Sequence, residues 1–207
     1  MKRIAIVLMA VGAIAFTACK NGGKSSKEND ISKKNADTAK MAKADNTPMA
    51  EVSPTYGNVD PKLAASLKTV VDHYLHIKNA LVSNDGSDAA SGGKEMADAM
   101  GKIDKSLFTA EQKKVYDDVE LDLKENAEHI GKSSGDIAHQ REHFSMMSED
   151  VYDLVKAFGG GQILYHDHCP MANDNKGAMW LSEIKGIKNP YFGGKMNECV
   201  KVPEVIK

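Results

Sequence analysis

The fold is decided first by residues 60–81, which read DPKLAASLKTVVDHYLHIKNAL. Asp60 followed by Pro61 is typical of a helix start, because an Asp side chain caps free backbone N–H groups and proline fits the first turn. Behind this start, apolar residues recur at the helical period and share one face: Leu63, Leu67, Val70, Val71, Tyr74, Ile77 and Leu81. The pattern predicts an amphipathic helix that ends at Asn84-Asp85-Gly86.

Three further helices are predicted behind the first. A weaker one covers about residues 87–105 with a face of mostly small residues, and Gly92-Gly93 disfavours helix in its first half. A third begins at Thr109, which is placed to form a capping box with Gln112. A fourth covers residues 137–158 and stops at Gly159. Four helices with short connections predict an antiparallel four-helix bundle over residues 60–158.

The remaining residues, 159–207, are expected to form an irregular, mostly non-helical C-terminal cap in the same domain as the bundle. Within it, Ile163-Leu164-Tyr165 is a short apolar run that predicts a strand or an extended arm. The predicted fold class is therefore all-α, a four-helix bundle with a cap. Arg141 lies near the edge of the apolar face of the fourth helix and needs an acceptor there, so we expect it to hold the cap onto the bundle.

Residues 1–18 have the layout of a secretory signal peptide, with a basic start and an uncharged apolar stretch too short to span a membrane. Small residues stand directly before Cys19, as in the lipobox of bacterial lipoproteins, so we expect cleavage before Cys19 and its lipidation. An ordinary signal peptide with an incidental cysteine is the alternative. Residues 19–59 are polar and broken by Pro48 and Pro54, which predicts a disordered tether.

These features predict a lipid-anchored, periplasm-facing protein of the cell envelope, with the outer membrane favoured over the inner. The chain carries 27 Lys and Arg against 29 Asp and Glu, and loss of Lys2 and Arg3 with the signal leaves 25 basic residues and a formal charge of −4. A mildly acidic protein has no electrostatic footprint for nucleic acid, which is therefore excluded as a partner.

The densest chemistry lies in the cap, at HDHCPM (residues 166–171) and MNEC (residues 196–199). Thiols and thioethers are soft ligands that suit Cu(I), and imidazole suits copper or zinc. If the two segments meet, they form a sulfur-rich cluster with two histidines at its edge. We therefore expect a site for copper, as Cu(I), or for a similar soft metal, with these ligands: Cys169, Met171, Met196 and Cys199, and as auxiliary ligands His166 and His168.

A disulfide is the alternative for the same residues. In an oxidising compartment Cys169 and Cys199 can pair and close a loop of about thirty residues, which is worth about 2–4 kcal/mol. Met171 and Met196 would then fill apolar space. The redox state of the two thiols decides between a metal site and a structural bridge.

The helices carry a further candidate. His139, His143 and Met146 share a face of the fourth helix, and a His pair at i,i+4 is a common metal-chelating geometry, so these three residues are auxiliary metal candidates. His73 and His76 form an i,i+3 pair on the first helix, and His129 lies at the end of the third. The alternative is a solvated polar face with ordinary histidines.

Several other chemistries are excluded by missing motifs. No Glu-x-x-His pair supports a di-iron centre, no Cys-x-x-Cys-His supports covalent haem, and neither a phosphate-binding glycine loop nor a Gly-x-Ser-x-Gly elbow is present. A thiol nucleophile at Cys169 beside His166 or His168 lacks an orienting carboxylate, because Asp167 points the other way in an extended segment. We therefore expect no enzymatic activity.

Several short motifs of the C-terminal segment stand out, with weaker ones on the helices around Tyr74 and Gln140-Arg141: CPMA (169–172), KGA (176–178), WLS (180–182) and NPYFG (189–193), followed by Lys195, Met196 and Cys199. Together they resemble an uncharacterised envelope domain of Gram-negative bacteria, a domain of unknown function. The same motifs are similar to the C-terminal extension of some copper/silver-type heavy-metal efflux adaptor (membrane-fusion) proteins. The resemblance covers roughly residues 65–202. One departure is Val200, where the family has Gly after the last Cys.

The resemblance implies a metal context and no reaction. Together with the residues above, it predicts a lipid-anchored envelope protein that binds copper or a similar soft metal for metal homeostasis or efflux. The alternative function is a helical interaction module without metal, which docks on an efflux adaptor or another envelope protein and uses Cys169–Cys199 as a structural disulfide.

Overall fold

The structure is a computed structural model that describes residues 49–186 and 188–207. The predicted signal peptide, the lipidation site at Cys19 and the predicted tether as far as residue 48 lie outside the described residues. Among the described helices, none is both long and apolar enough to cross a membrane.

The four predicted helices are present: α1 (Pro61–Val82), α2 (Gly86–Met100), α3 (Ala110–Lys132) and α4 (Ile137–Phe158). Their starts follow the expected capping chemistry. The Asp60 side chain accepts hydrogen bonds from the N–H groups of Lys62 and Leu63. Thr109 and Gln112 form both halves of the capping box, so the third helix begins where the sequence predicts.

The helices pack consecutively, α1 on α2, α2 on α3 and α3 on α4, and α1 also contacts α4. Their apolar faces enclose one core, which continues into the C-terminal segment. Burial of this surface supplies the main driving force for folding. The largest fully buried apolar side chains are Trp180, Tyr74, Tyr116, Phe144, Leu63, Leu67, Ile77, Leu81, Met96, Leu123 and Ile130.

Gly92 and Gly93, which disfavour helix locally, are explained by the close approach of α2 to its two neighbours. A Cβ on Gly93 would lie 2.6 Å from the carbonyl oxygen of Ala127 and 2.8 Å from the amide nitrogen of Gly131, both on α3. A Cβ on Gly92 would lie 2.9 Å from Ile77 of α1. Packing therefore outweighs the propensity cost, and α2 is helical across both glycines.

The all-α fold class is wrong, because the C-terminal segment forms three strands of a four-stranded sheet instead of an irregular cap. The strands of this sheet are β1 (Ala50–Val52), β2 (Leu164–Cys169), β3 (Ala178–Ser182) and β4 (Lys201–Ile206), in the order β1-β4-β2-β3. β2 is antiparallel to both β3 and β4, whereas β1 and β4 are parallel. The fold is therefore mixed, a helical bundle with a four-stranded sheet.

These strands are weak signals in the sequence. β2 carries polar side chains at three consecutive positions, His166-Asp167-His168, and β4 contains Pro203. β1 has three residues, lies in the stretch that was predicted to be tether, and pairs with a strand from the other end of the chain. The strand or extended arm predicted at residues 163–165 overlaps the start of β2, but local periodicity revealed neither the other strands nor their pairing.

The rest of the C-terminal segment connects these strands. A single turn, α5 (Ala172–Asn175), joins β2 to β3, and its Asn173 and Asp174 have left-handed backbone angles. Two 3₁₀ turns, Pro190–Phe192 and Asn197–Cys199, lie between β3 and β4. Residues 55 and 56 donate backbone hydrogen bonds to the carbonyls of Lys156 and Ala157, which ties the chain before α1 to the end of α4.

Arg141 holds the C-terminal segment onto the bundle, as predicted. Its Nε donates to the carbonyl of Pro190 at 2.8 Å, and its Nη2 donates to the carbonyl of Leu81 at 3.0 Å and to Oδ1 of Asn84 at 2.6 Å. One guanidinium thus joins α4, the end of α1 and the first 3₁₀ turn. The acceptors are two carbonyls and an amide rather than a carboxylate.

The tight packing at Gly93 predicts that alanine at this position destabilises the protein, whereas helix propensity alone predicts the opposite. Gly93→Ala is expected to lower the free energy of unfolding by about 1–3 kcal/mol, because its methyl group meets the backbone of α3. Propensity alone would raise it by about 1 kcal/mol.

Chemical denaturation followed by circular dichroism measures this change. The matched control is Gly135→Ala, since nothing lies within 4 Å of a Cβ at that position. This control is expected to be neutral or to stabilise by up to about 1 kcal/mol. A Gly93→Ala variant as stable as the control would contradict the packing described for α2.

Candidate metal sites

The two cysteines of the C-terminal segment are neighbours. Cys169 ends β2 and is buried, and Cys199 ends the second 3₁₀ turn and is partly exposed. Both are free thiols, with their sulfur atoms 2.7 Å apart. The Cys199 thiol also donates to the carbonyl of Met196 at 2.9 Å. Burial, followed by the neighbouring Cys169, raises the pKa of Cys199 to about 11.

This separation suits a disulfide better than a shared metal ion. Two thiolates that each lie about 2.3 Å from one tetrahedral metal ion stand about 3.8 Å apart. Cys169 and Cys199 are closer than that and can be bridged with little backbone movement. Among the described residues, neither cysteine belongs to a group of three His, Cys, Asp or Glu ligands close enough to hold an ion.

Met171 and Met196 both line a groove that neither cysteine lines. This groove of about 440 Å³ lies beside α4, with Arg141, Tyr191 and Phe192 among its other walls. Their side chains remain 45% and 39% exposed, so they do not fill the core. Of the predicted sulfur ligands, the structure therefore brings the two cysteines into contact and places the two methionines on the walls of one groove.

His166 and His168 leave β2 on the face opposite to Cys169, because alternate residues of a strand point to opposite sides. The ring of His166 packs on Tyr152 of α4 with a centroid distance of 4.5 Å. Burial lowers the pKa of His166, opposed by the carboxylate of Glu204. The two auxiliary histidines of the predicted cluster are thus directed away from the thiol pair.

Three histidines converge between the end of α3 and the start of α4. The ligand nitrogens of His129, His139 and His143 all lie within 4.8 Å of one another. Nε2 of His143 is 3.1 Å from Nε2 of His139, and the ring of His129 stacks on that of His143 at 4.4 Å. Two nitrogens that each lie about 2.0–2.1 Å from one tetrahedral ion stand about 3.3–3.4 Å apart, so the observed spacing is close to a chelating one.

His143 is oriented by a second group, Asn126 of α3. Nδ1 of His143 lies 2.8 Å from Oδ1 of Asn126, and an amide oxygen only accepts, so this Nδ1 carries the proton. Nε2 is then left with its lone pair in the cluster, which is the form that binds metal. Asn126 is itself held by a hydrogen bond from its Nδ2 to the carbonyl of Asp122.

The charge around the cluster favours a cation. Burial, followed by His129 and His139, lowers the pKa of His143, which keeps its ring neutral. A groove beside it is lined by His143, Met146 and four carboxylates, those of Asp122, Glu125, Glu149 and Asp150. Burial and the neighbouring acids raise the pKa of Asp150 to about 6. Met146 is half exposed on this groove wall.

The sequence revealed part of this cluster. His139 and His143 were predicted from their i,i+4 spacing on one helix, whereas His129 and Asn126 come from α3 and join them only in three dimensions. The available signal was that His129 lies in the last turn of α3 and His139 in the first turn of α4, across a short connection.

The sequence did not reveal a buried ion pair between α1 and the end of β3. The fully buried Nζ of Lys78 donates to Oε2 of Glu183 at 2.6 Å and to Oγ of Ser182 at 3.3 Å. Asn79 donates to the other oxygen of Glu183 at 3.0 Å. The signal was the position of Lys78, four residues after Tyr74 on the apolar face, where a charge needs a partner.

Comparison with known proteins gives a family without an assigned function. Residues 70–162 match the family described as "Protein of unknown function (DUF3347)". The match runs from within α1 to just beyond α4, so it includes the three histidines and ends before the Cys169 segment. No curated protein sequence and no solved structure matches the chain.

The thiol pair is expected to be a disulfide in protein taken from an oxidising compartment. Reduction is then expected to lower the free energy of unfolding by about 2–4 kcal/mol, because the bridge closes a 30-residue loop. The measurement is free-thiol counting on unfolded protein that was never reduced, with denaturation in the presence and absence of reductant. Cys199→Ser is the control, since reductant should not change its stability. Two reactive thiols at Cys169 and Cys199 would rule the bridge out.

The raised pKa of Asp150 gives a pH dependence with a definite sign. Between its ordinary value of 3.8 and about 6, the folded protein holds a proton at Asp150 that the unfolded chain has released. This group's contribution to stability is therefore full below about pH 4 and is lost as the pH rises through about 6. The free energy of unfolding of Asp150→Asn minus that of the wild type should therefore be more positive at pH 7.5 than at pH 4. Urea denaturation measures this stability difference, and the same value at both pH values would contradict the raised pKa of Asp150.

Proposed function

We propose that the protein is a lipid-anchored protein of the cell envelope that binds copper, or a similar transition metal, for metal homeostasis or efflux. The observation that carries the proposal is the convergence of His129, His139 and His143 on one point between α3 and α4. Cys19 supplies the anchor in this proposal, with the polar stretch after it as a tether.

The chemistry of three imidazoles supports a transition metal. Imidazole nitrogen is a good ligand for copper and zinc, and three of them leave a coordination position open for a further ligand. The nearby Asn126 provides the outer-shell hydrogen bond that metal-binding histidines usually make. The acidic groove beside His143 adds a negative potential that concentrates cations.

Copper is preferred for two reasons, the thioether beside the cluster and the resemblance of the C-terminal motifs. Met146 offers a soft thioether on the groove wall next to His143. The C-terminal motifs resemble the extension of copper/silver efflux adaptors, which supports a role in the handling of the same metals. The sulfur set at Cys169, Met171, Met196 and Cys199 is the second place for a soft metal, and it requires both thiols to be reduced and to move apart.

A second function is favoured by one observation, the exposure of Met171 and Met196 in the groove beside α4. Methionine is common on surfaces that bind proteins, because its side chain adapts to different partners. In this alternative the chain is an interaction module without metal, which docks on an efflux adaptor or another envelope protein. The Cys169–Cys199 bridge then holds the groove in shape.

Metal titration of the full-length chain in detergent tests the proposal. Under anaerobic conditions, Cu(I) is titrated against a chromophoric chelator. The wild type is expected to bind copper at a site that His139→Gln/His143→Gln weakens by more than about 100-fold, since removal of an outer-shell partner alone costs 10–100-fold. Asn126→Leu is expected to fall within that smaller range.

The controls separate the histidine cluster from the sulfur residues. Asp117→Asn removes an exposed carboxylate of α3 that is engaged with Lys113 rather than with a histidine, and should leave copper affinity unchanged. Cys169→Ser/Cys199→Ser should also bind copper normally. If the cysteine variant loses copper and the histidine variant keeps it, the metal is held at the sulfur set. If neither variant binds copper more weakly than the wild type, neither set of residues holds copper, the proposed site is rejected and the docking function is favoured.

A further inference from the structure

A second group of metal-binding side chains lies between α1 and α2, away from the residues used above. His73 and His76 come from α1, and Glu95 comes from α2. Nδ1 of His73 is 3.3 Å from Oε2 of Glu95, and Nδ1 of His76 is 3.4 Å from the same oxygen. All three ligand atoms lie within 4.8 Å of one another.

These distances match those of a chelated ion. A nitrogen and an oxygen that each lie about 2.0–2.2 Å from one tetrahedral metal ion stand about 3.4 Å apart. Both Nδ1···Oε2 separations are therefore close to the spacing of bound ligands. Small side-chain movements are sufficient to bring the two rings and the carboxylate around an ion.

His76 has a carboxylate on its other nitrogen. Nε2 of His76 lies 2.9 Å from Oδ1 of Asp88, in the first turn of α2. A neutral His76 must therefore carry its proton on Nε2, because an ionised carboxylate only accepts, and this leaves the lone pair on Nδ1. A carboxylate behind a ligand histidine is the usual outer shell of protein zinc sites, where it fixes the ring and strengthens the ligand.

The helices hold this arrangement in place. Gly92 of α2 packs against α1 beside the ligands, and a Cβ there would lie 3.3 Å from Nδ1 of His76. Glycine thus keeps space at the ligand atom while the two helices remain in close contact. Asp88 is fixed in turn by its backbone N–H, which donates to the side chain of Asp85 at 2.9 Å. Ligands on two packed helices are positioned before the ion arrives.

The site is open to solvent on one side. His73 and Glu95 line a groove of about 430 Å³ together with Ser66, Thr69 and Asp98. The side chains of His73 and Glu95 are 26% and 52% exposed, which allows an ion to enter without a change of fold. The ligand set holds two nitrogens, one carboxylate oxygen and no sulfur, and the hard oxygen disfavours Cu(I) relative to a divalent ion.

We propose that His73, His76 and Glu95 form a second metal site, selective for a divalent transition metal ion of the zinc type, with Asp88 as the residue that positions His76. The site does not depend on the copper site, since it uses other residues on the other helix pair. Without metal, the same groups form ion pairs when the histidines are protonated, so only a binding measurement separates the two roles.

The test uses Zn²⁺ and the full-length chain that carries His139→Gln/His143→Gln, so that the three-histidine cluster cannot hold the metal. Competition with a zinc-binding dye is expected to show one equivalent of bound zinc. Glu95→Gln and His73→Gln/His76→Gln are each expected to weaken zinc binding by more than 100-fold. Asp88 does not contact the metal itself, so Asp88→Asn is expected to weaken zinc binding by only about 10–100-fold.

The matched control is Asp72→Asn, which removes a neighbouring exposed carboxylate that is engaged with Lys68 rather than with a histidine. It is expected to leave zinc affinity unchanged, and circular dichroism checks that each variant keeps its helices. The proposal is overturned if zinc binds the Glu95→Gln chain as well as its parent. It is also overturned if Asp72→Asn costs as much as Asp88→Asn, since attraction by surface charge would then explain the binding. If the wild type binds no copper while zinc still binds at His73, His76 and Glu95, only the copper function is rejected.

Discussion

The hydroxyl of Tyr74 joins three parts of the molecule, two helices of the bundle and one strand of the sheet. Oγ of Ser148 donates its proton to the carbonyl of Phe144, so the Tyr74 hydroxyl, 2.8 Å away, is the donor to Ser148. The same hydroxyl accepts the backbone N–H of Leu181 at 3.0 Å. α1, α4 and β3 are thereby connected at one fully buried point, where burial raises the pKa of Tyr74 and keeps it neutral. Because a buried polar group without a partner is costly, these hydrogen bonds favour the observed placement of the sheet on the bundle.

Local signals explain what the sequence predicted correctly. Each helix has its own caps and its own apolar period, and these depend on residues within a few turns of one another. Arg141 was predictable for a related reason: a guanidinium beside an apolar face needs acceptors, and the C-terminal segment supplies one of them in the carbonyl of Pro190. The sheet lacks such signals, because β1 and β4 are stabilised by partners from opposite ends of the described chain.

The candidate sites divide in the same way. A pair on one helix, such as His139 and His143 or His73 and His76, is visible in the sequence as a spacing of three or four. The third ligand of each site, His129 or Glu95, comes from the adjacent helix and is revealed only by packing. Residues that hydrogen-bond to the back of a ligand histidine, such as Asn126 and Asp88, are even harder to identify from the sequence, since their role depends on one specific contact. The sulfur-rich block had the strongest sequence signal, but its histidines and Cys169 leave β2 on opposite faces.

The positions of the two histidine clusters on the bundle suit the metal ions that we propose for them. An ion needs ligands held at fixed spacing, and two packed helices supply this more reliably than the turns around Cys199. Each cluster also joins helices that are consecutive in the chain, α1 with α2 and α3 with α4, so a bound ion closes only a short loop. Closure of a short loop removes little entropy from the unfolded chain, and none of the histidines belongs to the hydrophobic core. Under the proposed function, release of the metal would therefore leave the bundle folded, as reversible binding requires.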